Sequence, residues 1–269
     1  MNPTLEVIMN RRSVRVYSDR KITDTDKHSI LQAAMRAPTA GNMMLYSILE
    51  IDDQPLKDRL AETCDDQPFI ARAPLLLLFL ADYQRWYDYY RAAGVPELCR
   101  QRGQEMRQPS EGDLLLAACD TLIAAHSAVI AAESMGIGSC YIGDILEEFE
   151  IHQHLFDLPP YVLPLTLVCF GYPAHEDVPH RLSPRFDAQW IVHQNRYHRL
   201  DPAELEEMMG PRNAQVAAAS RKDGLTNAGQ VNYFQKFNAE FSFEMTRSVR
   251  KMIASWVEPN QQNPSESQF

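Results

Sequence analysis

Asp113 to Met135, DLLLAACDTLIAAHSAVIAAESM, is the stretch on which the fold turns: apart from Asp120, His126 and Glu133 nothing in it is ionisable. A helix of this composition has no polar side to give to water, so it is expected to be covered on most of its circumference as the central helix of the core. His126 within it reads as a hydrogen-bonded core residue. Gly136 follows directly, well placed to close the helix, and Gly136 to Asp144 then turns the chain. Outward from this helix lie two continuous apolar runs, Ala73–Ala81 and Val162–Phe170, each the pattern of a strand covered on both faces. Pro164 lacks a donor, so the second strand is expected to begin at about Leu165 or to run along an edge. Leu45–Ile51 alternates as a strand does. Thr4–Asn10 and Pro55–Glu62 read as short helices. Thr23 reads as the N-cap of a helix with Asp24 and Asp26 in its first turn, Ile30, Leu31 and Ala34 inward and Pro38 at its end.

The chain has 269 residues, 45% hydrophobic and 23% charged, with a formal net charge of -10. That balance describes a globular protein and argues against a nucleic-acid or anionic-membrane partner. Ala73–Ala81 is too short to span a bilayer and the N-terminus lacks the apolar core of a signal peptide, so a cytoplasmic protein is expected. Five cysteines without C-x-x-C spacing give neither a disulfide framework nor a zinc site and are expected to be buried thiols. His152 and His154 share a face only on a strand, with no evident carboxylate partner, so no metal is expected there. Residues 84 to 112, with Trp86, Tyr87, Tyr89 and Tyr90 among many charges, read as an insertion: a lid or partner contact, or a helical surface excursion with aromatics tucked beneath it. Val231, Phe234, Phe237 or Asn238, Phe241, Met245, Val249 and Ile253 recur at helical spacing, which predicts a long C-terminal helix packed across a dimer or on its own subunit.

Against the acidic background, Arg11-Arg12-Ser13-Val14-Arg15 puts three guanidinium groups and a hydroxyl within five residues, at a helix-to-strand junction. Arginine forks bind phosphate oxygens in pairs and a serine hydroxyl can complete the cradle; a solvated basic turn is the other reading.

Further segments resolve that choice. Arg11 to Tyr17, Ala37-Pro38-Thr39-Ala40-Gly41-Asn42, Gln67-Pro68-Phe69, Ala131 to Gly138 running into Tyr141-Ile142-Gly143, Pro184-Arg185-Phe186 and Val192 to Tyr197 stand in one order. Together they resemble the FMN-dependent nitroreductase family, most closely its NADPH-preferring, oxygen-insensitive branch, over about Leu5 to Leu200. The resemblance implies an α+β fold: an antiparallel-dominated sheet around a buried central helix, in an interwoven homodimer with FMN at the subunit interface. The domain expected is an FMN-binding one over 1–200, with the insertion 84–112 read from composition, followed by a helical C-terminal extension over 201–269. Carried over residue by residue, Arg11, Arg12, Ser13 and Arg15 match the holders of the phosphate and the polar edge of the flavin. Thr39, Gly41 and Asn42 match a loop that approaches the ring and ribityl chain from the partner subunit, and Gln67 a polar contact to the ring edge. Tyr141, Ile142, Gly143 and Asp144 match the turn over one flavin face, where a backbone N–H reaches N5, and Arg185 completes the phosphate clamp. No side-chain acid or base is implied as catalytic. The implied activity is ping-pong transfer from NAD(P)H through FMN to nitroaromatics, quinones or similar electron-poor acceptors. Ene reduction, reductive dehalogenation and flavin fragmentation on the same scaffold, or flavin binding without turnover, are the alternatives.

The sequence also departs from the family pattern. Met44 stands where glutamine is usual, Ser183 where lysine is common, and Asp144 where glycine is common. Arg181 is a candidate replacement for the charge lost at Ser183. Beyond Leu200 the family branch's NADPH-binding arginines have no clear match, which leaves NADH and NADPH open.

Overall fold

The computed structural model describes residues 2–174, 182–219 and 223–259. They fall into two compact units, Met1–Val178 with Glu244–Phe269, and Pro179–Phe243. These units are cut elsewhere than at the expected boundary of residue 200.

The first unit opens with α1 (Pro3–Asn10), capped by the Asn2 side chain, and α2 (Asp24–Met35), where Thr23 accepts from the Asp26 N–H as its N-cap. Then come β1 (Tyr46–Glu50), α3 (Gln54–Thr63), α4 (Pro68–Ala71), β2 (Leu75–Asp82), α5 (Gln84–Ala92), α6 (Val95–Gln101), α7 (Glu111–Ser134), β3 (Gly138–Ile142), α8 (Phe149–Leu155) and β4 (Val162–Gly171). The strands form an antiparallel sheet in the order β1-β2-β4-β3.

Every residue of β2 is buried because alternate side chains serve two different cores. Leu76, Leu78 and Leu80 pack with Leu60, Ile70 and Leu167 on one face. Leu75, Leu77 and Phe79 pack on the other with Ile30 and Ala34 of α2 and Ala124, Ala125, Ala128, Val129 and Ala132 of α7. The small residues of α7 let its backbone approach the sheet closely.

β4 begins at Val162, before Pro164, and lies between two strands. Pro164 is tolerated because β3 pairs only with Leu167–Gly171, so at residue 164 the strand has a neighbour on one side alone. The register also shifts there, between Phe79 and Leu80.

The expected burial of α7 on most of its circumference does not hold in the single chain. Leu115, Leu116, Leu122 and Ile123 are 68%, 44%, 48% and 40% exposed, and His126 beside them is exposed instead of lying in the core. Length and composition alone would let α7 cross a membrane, but its alanine face is built into the core. Gly136 ends the helix at φ 75°, with the Ile137 N–H donating to Ala132 O at 3.0 Å and the Gly136 N–H to Glu133 O at 3.1 Å, the Schellman arrangement. Of the cysteines, Cys64, Cys140 and Cys169 are buried, while Cys119 is exposed on α7 and Cys99 half-buried.

The insertion is tied down at its start. Arg85 Nη2 donates to Met44 O at 2.5 Å and to Tyr46 O at 3.1 Å, and Trp86 Nε1 to Met43 O at 2.7 Å. Its first helix is therefore a clasp on the segment leading into β1.

The second unit holds α9 (Pro202–Ala218), begun by a capping box between Asp201 and Glu204, and α10 (Ala228–Asn232). Within it a groove of about 800 Å³ is lined by Arg185, Phe186, Arg212 and Lys236 among others, with the Arg212 guanidinium 3.9 Å over the Phe186 ring. The expected continuous C-terminal helix is broken: Tyr233–Phe237 forms a π-helical turn before α11 (Glu240–Val257). From Glu244 onward α11 belongs to the first unit, where Met252 and Trp256 are buried with Tyr161 and Leu163 and Trp256 Nε1 donates to Ser110 O at 3.0 Å.

Candidate functional site

The arginine run reaches its place by crossing the end of β3. Ser13 forms a parallel bridge with Ser139, and the Val14 N–H donates to Ser139 O at 2.9 Å. The crossing is so close that a Cβ on Gly138 would lie 2.4 Å from Val14 Cγ2. Gly138→Ala should therefore push the arginine segment off the sheet and cost about 1–3 kcal/mol of stability, read by urea unfolding.

Around this crossing the charges are uneven. Arg11 and Arg12 act on Glu133 of α7, whose Oε1 accepts from Ser139 Oγ at 2.9 Å. Burial holds the Glu133 carboxyl above its usual range, and Ser139 and the two guanidinium groups pull it back. Arg15 lies with its guanidinium 5.7 Å from the Phe69 ring centroid. Cys140 is raised by burial and drawn back by Arg15, the Ser13 hydroxyl and Arg11. Burial also pushes the Tyr141 hydroxyl up to about 12, against Arg11. Arg11 Nη1 is buried and has no hydrogen-bond partner among the described residues. Two guanidinium groups thus face Glu133, Arg15 stands nearby, and a buried guanidinium nitrogen of Arg11 is left to an anion from outside.

Beyond Tyr141, the chain passes Ile142 and Gly143 into a short 3₁₀ turn at Asp144. Nothing lies within 4 Å of where a Cβ on Gly143 would stand, so this peptide faces open space. Asp144 Oδ2 accepts from Gln67 Nε2 at 2.7 Å, and the same nitrogen donates to Cys64 O at 2.8 Å. Residues expected to share a site, Gln67 and Asp144, are thus bonded across 77 positions of sequence.

The Thr39 loop stands apart. Thr39 Oγ1 donates to Asp120 Oδ2, the Ala40 N–H to Asp120 Oδ1 at 3.0 Å, and the Leu45 N–H to Asp120 Oδ2 at 3.2 Å. The Met44 N–H in turn donates to Thr39 Oγ1 at 2.8 Å. Gly41, Asn42 and Met44 take φ of 56°, 59° and 51°; for methionine this left-handed backbone is costly, and Asp120 is the group that holds the loop in it. Asp120 is 3% exposed; no motif marks it, and a lone carboxylate in an alanine-rich helix face is its one signal in the sequence. It lies thirteen positions before Glu133 on α7, about 20 Å along the helix. In one chain the loop and the arginine cluster therefore sit at opposite levels of the same helix.

Arg185 belongs to the second unit, where its Nη1 donates to Ser183 O at 3.2 Å. Arg181 lies outside the described residues. No group of three or more His, Cys, Asp or Glu side chains suited to a metal occurs among the described residues. His152 is buried on α8, with Nδ1 3.1 Å from Ile145 O and Nε2 2.9 Å from Thr63 Oγ1.

Two buried groups on this side titrate in opposite senses. Burial lowers His152 from 6.5 to about 4. Burial first, then Asp144, Asp65, Glu244 and Glu148, raises Glu147 from 4.5 to about 7. The contribution of His152 is complete above the unfolded value and is lost as pH falls towards 4; that of Glu147 is complete below its unfolded value and is lost as pH rises to 7. Their slopes oppose one another between 4.5 and 6.5. Glu147→Gln should leave the His152 slope alone, so that urea-unfolding free energy rises with pH across that window more steeply than in the parent chain.

Comparison with known proteins gives the family. The model of the Nitroreductase family matches residues 8–172. An oxygen-insensitive NADPH nitroreductase of Salmonella typhimurium is 33% identical over 201 residues, 75% of this chain and 77% of that one. An FMN reductase (NADPH) of Bacillus subtilis is 30% identical over 200 residues, 74% of this chain and 76% of that one. Among solved structures, nitroreductase A from Vibrio parahaemolyticus superposes with a TM-score of 0.76 at 25% identity, covering 94% of this chain and 98% of its own. With its arginine run, its antiparallel sheet and the turn after α7 all inside the matched segment, the chain belongs to the nitroreductase family.

Proposed function

We propose that the protein is an FMN-dependent oxidoreductase that draws on NAD(P)H to reduce small electron-poor acceptors, nitroaromatics and quinones among them, in the cytoplasm. The observation that carries this reading is the buried, unpartnered Nη1 of Arg11 in a cluster with more cations than anions. Such a donor suits a phosphate monoester, which accepts several charge-assisted hydrogen bonds at once. Arg11, Arg12, Ser13 and Arg15 would hold that phosphate, with Arg185 as a further guanidinium. Gln67 and the turn Tyr141, Ile142, Gly143 and Asp144 would border the ring, where the open space at Gly143 admits a flat group. When bound, FMN supplies the hydride chemistry. The chain's own task is to bind, orient and shield: the arginines fix the ligand by its phosphate, and Gly143 presents backbone instead of side chain.

Thr39, Gly41 and Asn42 complete the site from a second copy. The loop and the cluster are held at levels of α7 about 20 Å apart, and the outer face of that helix is apolar and uncovered. Two chains packed antiparallel through Leu115, Leu116, Leu122 and Ile123 bring the loop of one beside the arginines of the other. The partner is therefore another molecule of this protein.

Stopped-flow mixing of the flavin-loaded protein with NADPH or NADH tests the activity. The flavin absorbance should bleach rapidly with at least one donor and return on addition of a nitroarene or quinone. A protein that stays colourless after soaking with FMN, or whose flavin neither donor bleaches, would refute the reading.

A further inference from the structure

Gln67 has no donor to spare. The protons of its Nε2 go to Cys64 O and Asp144 Oδ2, so the group it has left to offer is its carbonyl Oε1. Behind this pair stands more negative charge. Glu147 is 6% exposed, its Oε1 is buried without a partner, and its N–H donates to Asp144 O at 3.0 Å. The groups acting on its carboxyl are Asp144 and Glu148 in the same turn, Asp65 after α3 and Glu244 on α11. Cys64 feels Glu147 as well, and His152 meets its backbone. Arg247 on α11 is engaged with Glu244 and with Glu150, at 2.8 and 2.7 Å. Asp65 and Glu148 hold left-handed backbone, at φ 61° and 46°, so the turn keeps these carboxylates together at a conformational cost. The Glu148 N–H is fixed by Glu244 Oε1 at 3.1 Å and the Phe149 N–H by Ser248 Oγ at 3.0 Å, so α11 braces the array from behind.

We propose that Asp144, oriented on Gln67 and backed by Glu147, is a negative pole that makes the bound flavin harder to reduce, and hence a stronger reductant once reduced. The inference rests on the FMN reading above. A carboxylate and an outward carbonyl beside the ring both disfavour added electron density there, since nearby charge is one of the means by which a protein sets a cofactor's potential. Glu147 grades the effect: its carboxyl, raised to about 7, gains charge as pH rises through neutrality. The acceptors best served are those that need a strong reductant, nitroarenes ahead of quinones.

The test is the midpoint potential of the flavin-loaded protein, measured by dye equilibration at pH 5.5 and 8.5 against free FMN. Asp144→Asn keeps an acceptor for Gln67 and removes the charge. At pH 8.5 it should favour reduction about tenfold, about 30 mV for a two-electron couple. Glu147→Gln stands one turn further back and should favour reduction about threefold at pH 8.5 while leaving the value at pH 5.5 unchanged, a pH signature that a merely structural role would not produce. If Asp144→Asn releases the flavin, the Glu147→Gln result decides alone. Flavin retained with both potentials within experimental error of the parent would overturn the inference and leave the FMN reading standing; a parent chain that holds no FMN would overturn both.

Discussion

Leu115→Asp combined with Leu122→Asp should separate the protein into monomers and release its flavin in the same step. Both side chains stand on the outer face of α7, one stripe apart by seven residues, and both are largely exposed in the single chain. Burying a leucine is worth about 1.5–3 kcal/mol, and a two-fold interface buries each of them twice. The double variant therefore forfeits about 6–12 kcal/mol of association, at least four orders of magnitude in dissociation constant at 1.4 kcal/mol per tenfold. The charges add to this. Because the inner face of α7 carries alanines and Thr121, and the changed positions do not contribute to it, the fold should survive and circular dichroism should not change. Sedimentation and flavin absorbance in parallel give the readout. A variant that stays dimeric, or a monomer that keeps its flavin, would contradict the composite site.

Arg11→Ala should weaken FMN retention at least tenfold, and up to a hundredfold. A hydrogen bond to a charged group contributes about 1.5–3 kcal/mol, and truncation leaves part of the phosphate charge unpaired in a half-buried setting. Glu133 sharpens the expectation. With Arg11 gone its carboxylate is opposed by Arg12 alone, so the net positive charge of these three groups that attracts the anion is lost. Arg11→Lys should recover only part of the affinity, since an ammonium cannot form the paired contact of a guanidinium. Ultrafiltration at sub-micromolar protein measures the bound fraction; full occupancy in Arg11→Ala would be incompatible with the assigned role.

The elements with strong periodicity or caps were legible. Thr23 caps α2 where its hydroxyl and the following acids indicate, Gly136 closes α7, and the run before Asp82 is a strand buried on both faces. What the residues could not disclose was pairing. Pro164 sits in an inner strand because β3 stops short of it, a fact about a neighbour's length and not about residue 164. The apolar circumference of α7 predicts burial on most sides, yet Leu115, Leu116, Leu122 and Ile123 are exposed in the single chain; composition does not say whose surface covers a leucine. The C-terminal stripe ran at helical spacing through Tyr233–Phe237, yet a π turn interrupts it. In the site, Gln67 and Asp144 came from family resemblance and the structure bonds them, but Asp120 carried no motif. Its work of holding Thr39, Ala40 and Leu45 appears only once the loop is folded against the helix.

Because Asp120 and Glu133 lie on one rigid rod, damage to the two ends of α7 is separable. A copy crippled at Arg11 and Arg12 still owns a sound Thr39 loop, and a copy crippled at Asp120 still owns sound arginines. Co-expressed, two such silent alleles would rescue one another if the pockets are composite as proposed, since each mixed pair then contains one pocket built wholly from intact parts and one that inherits both lesions.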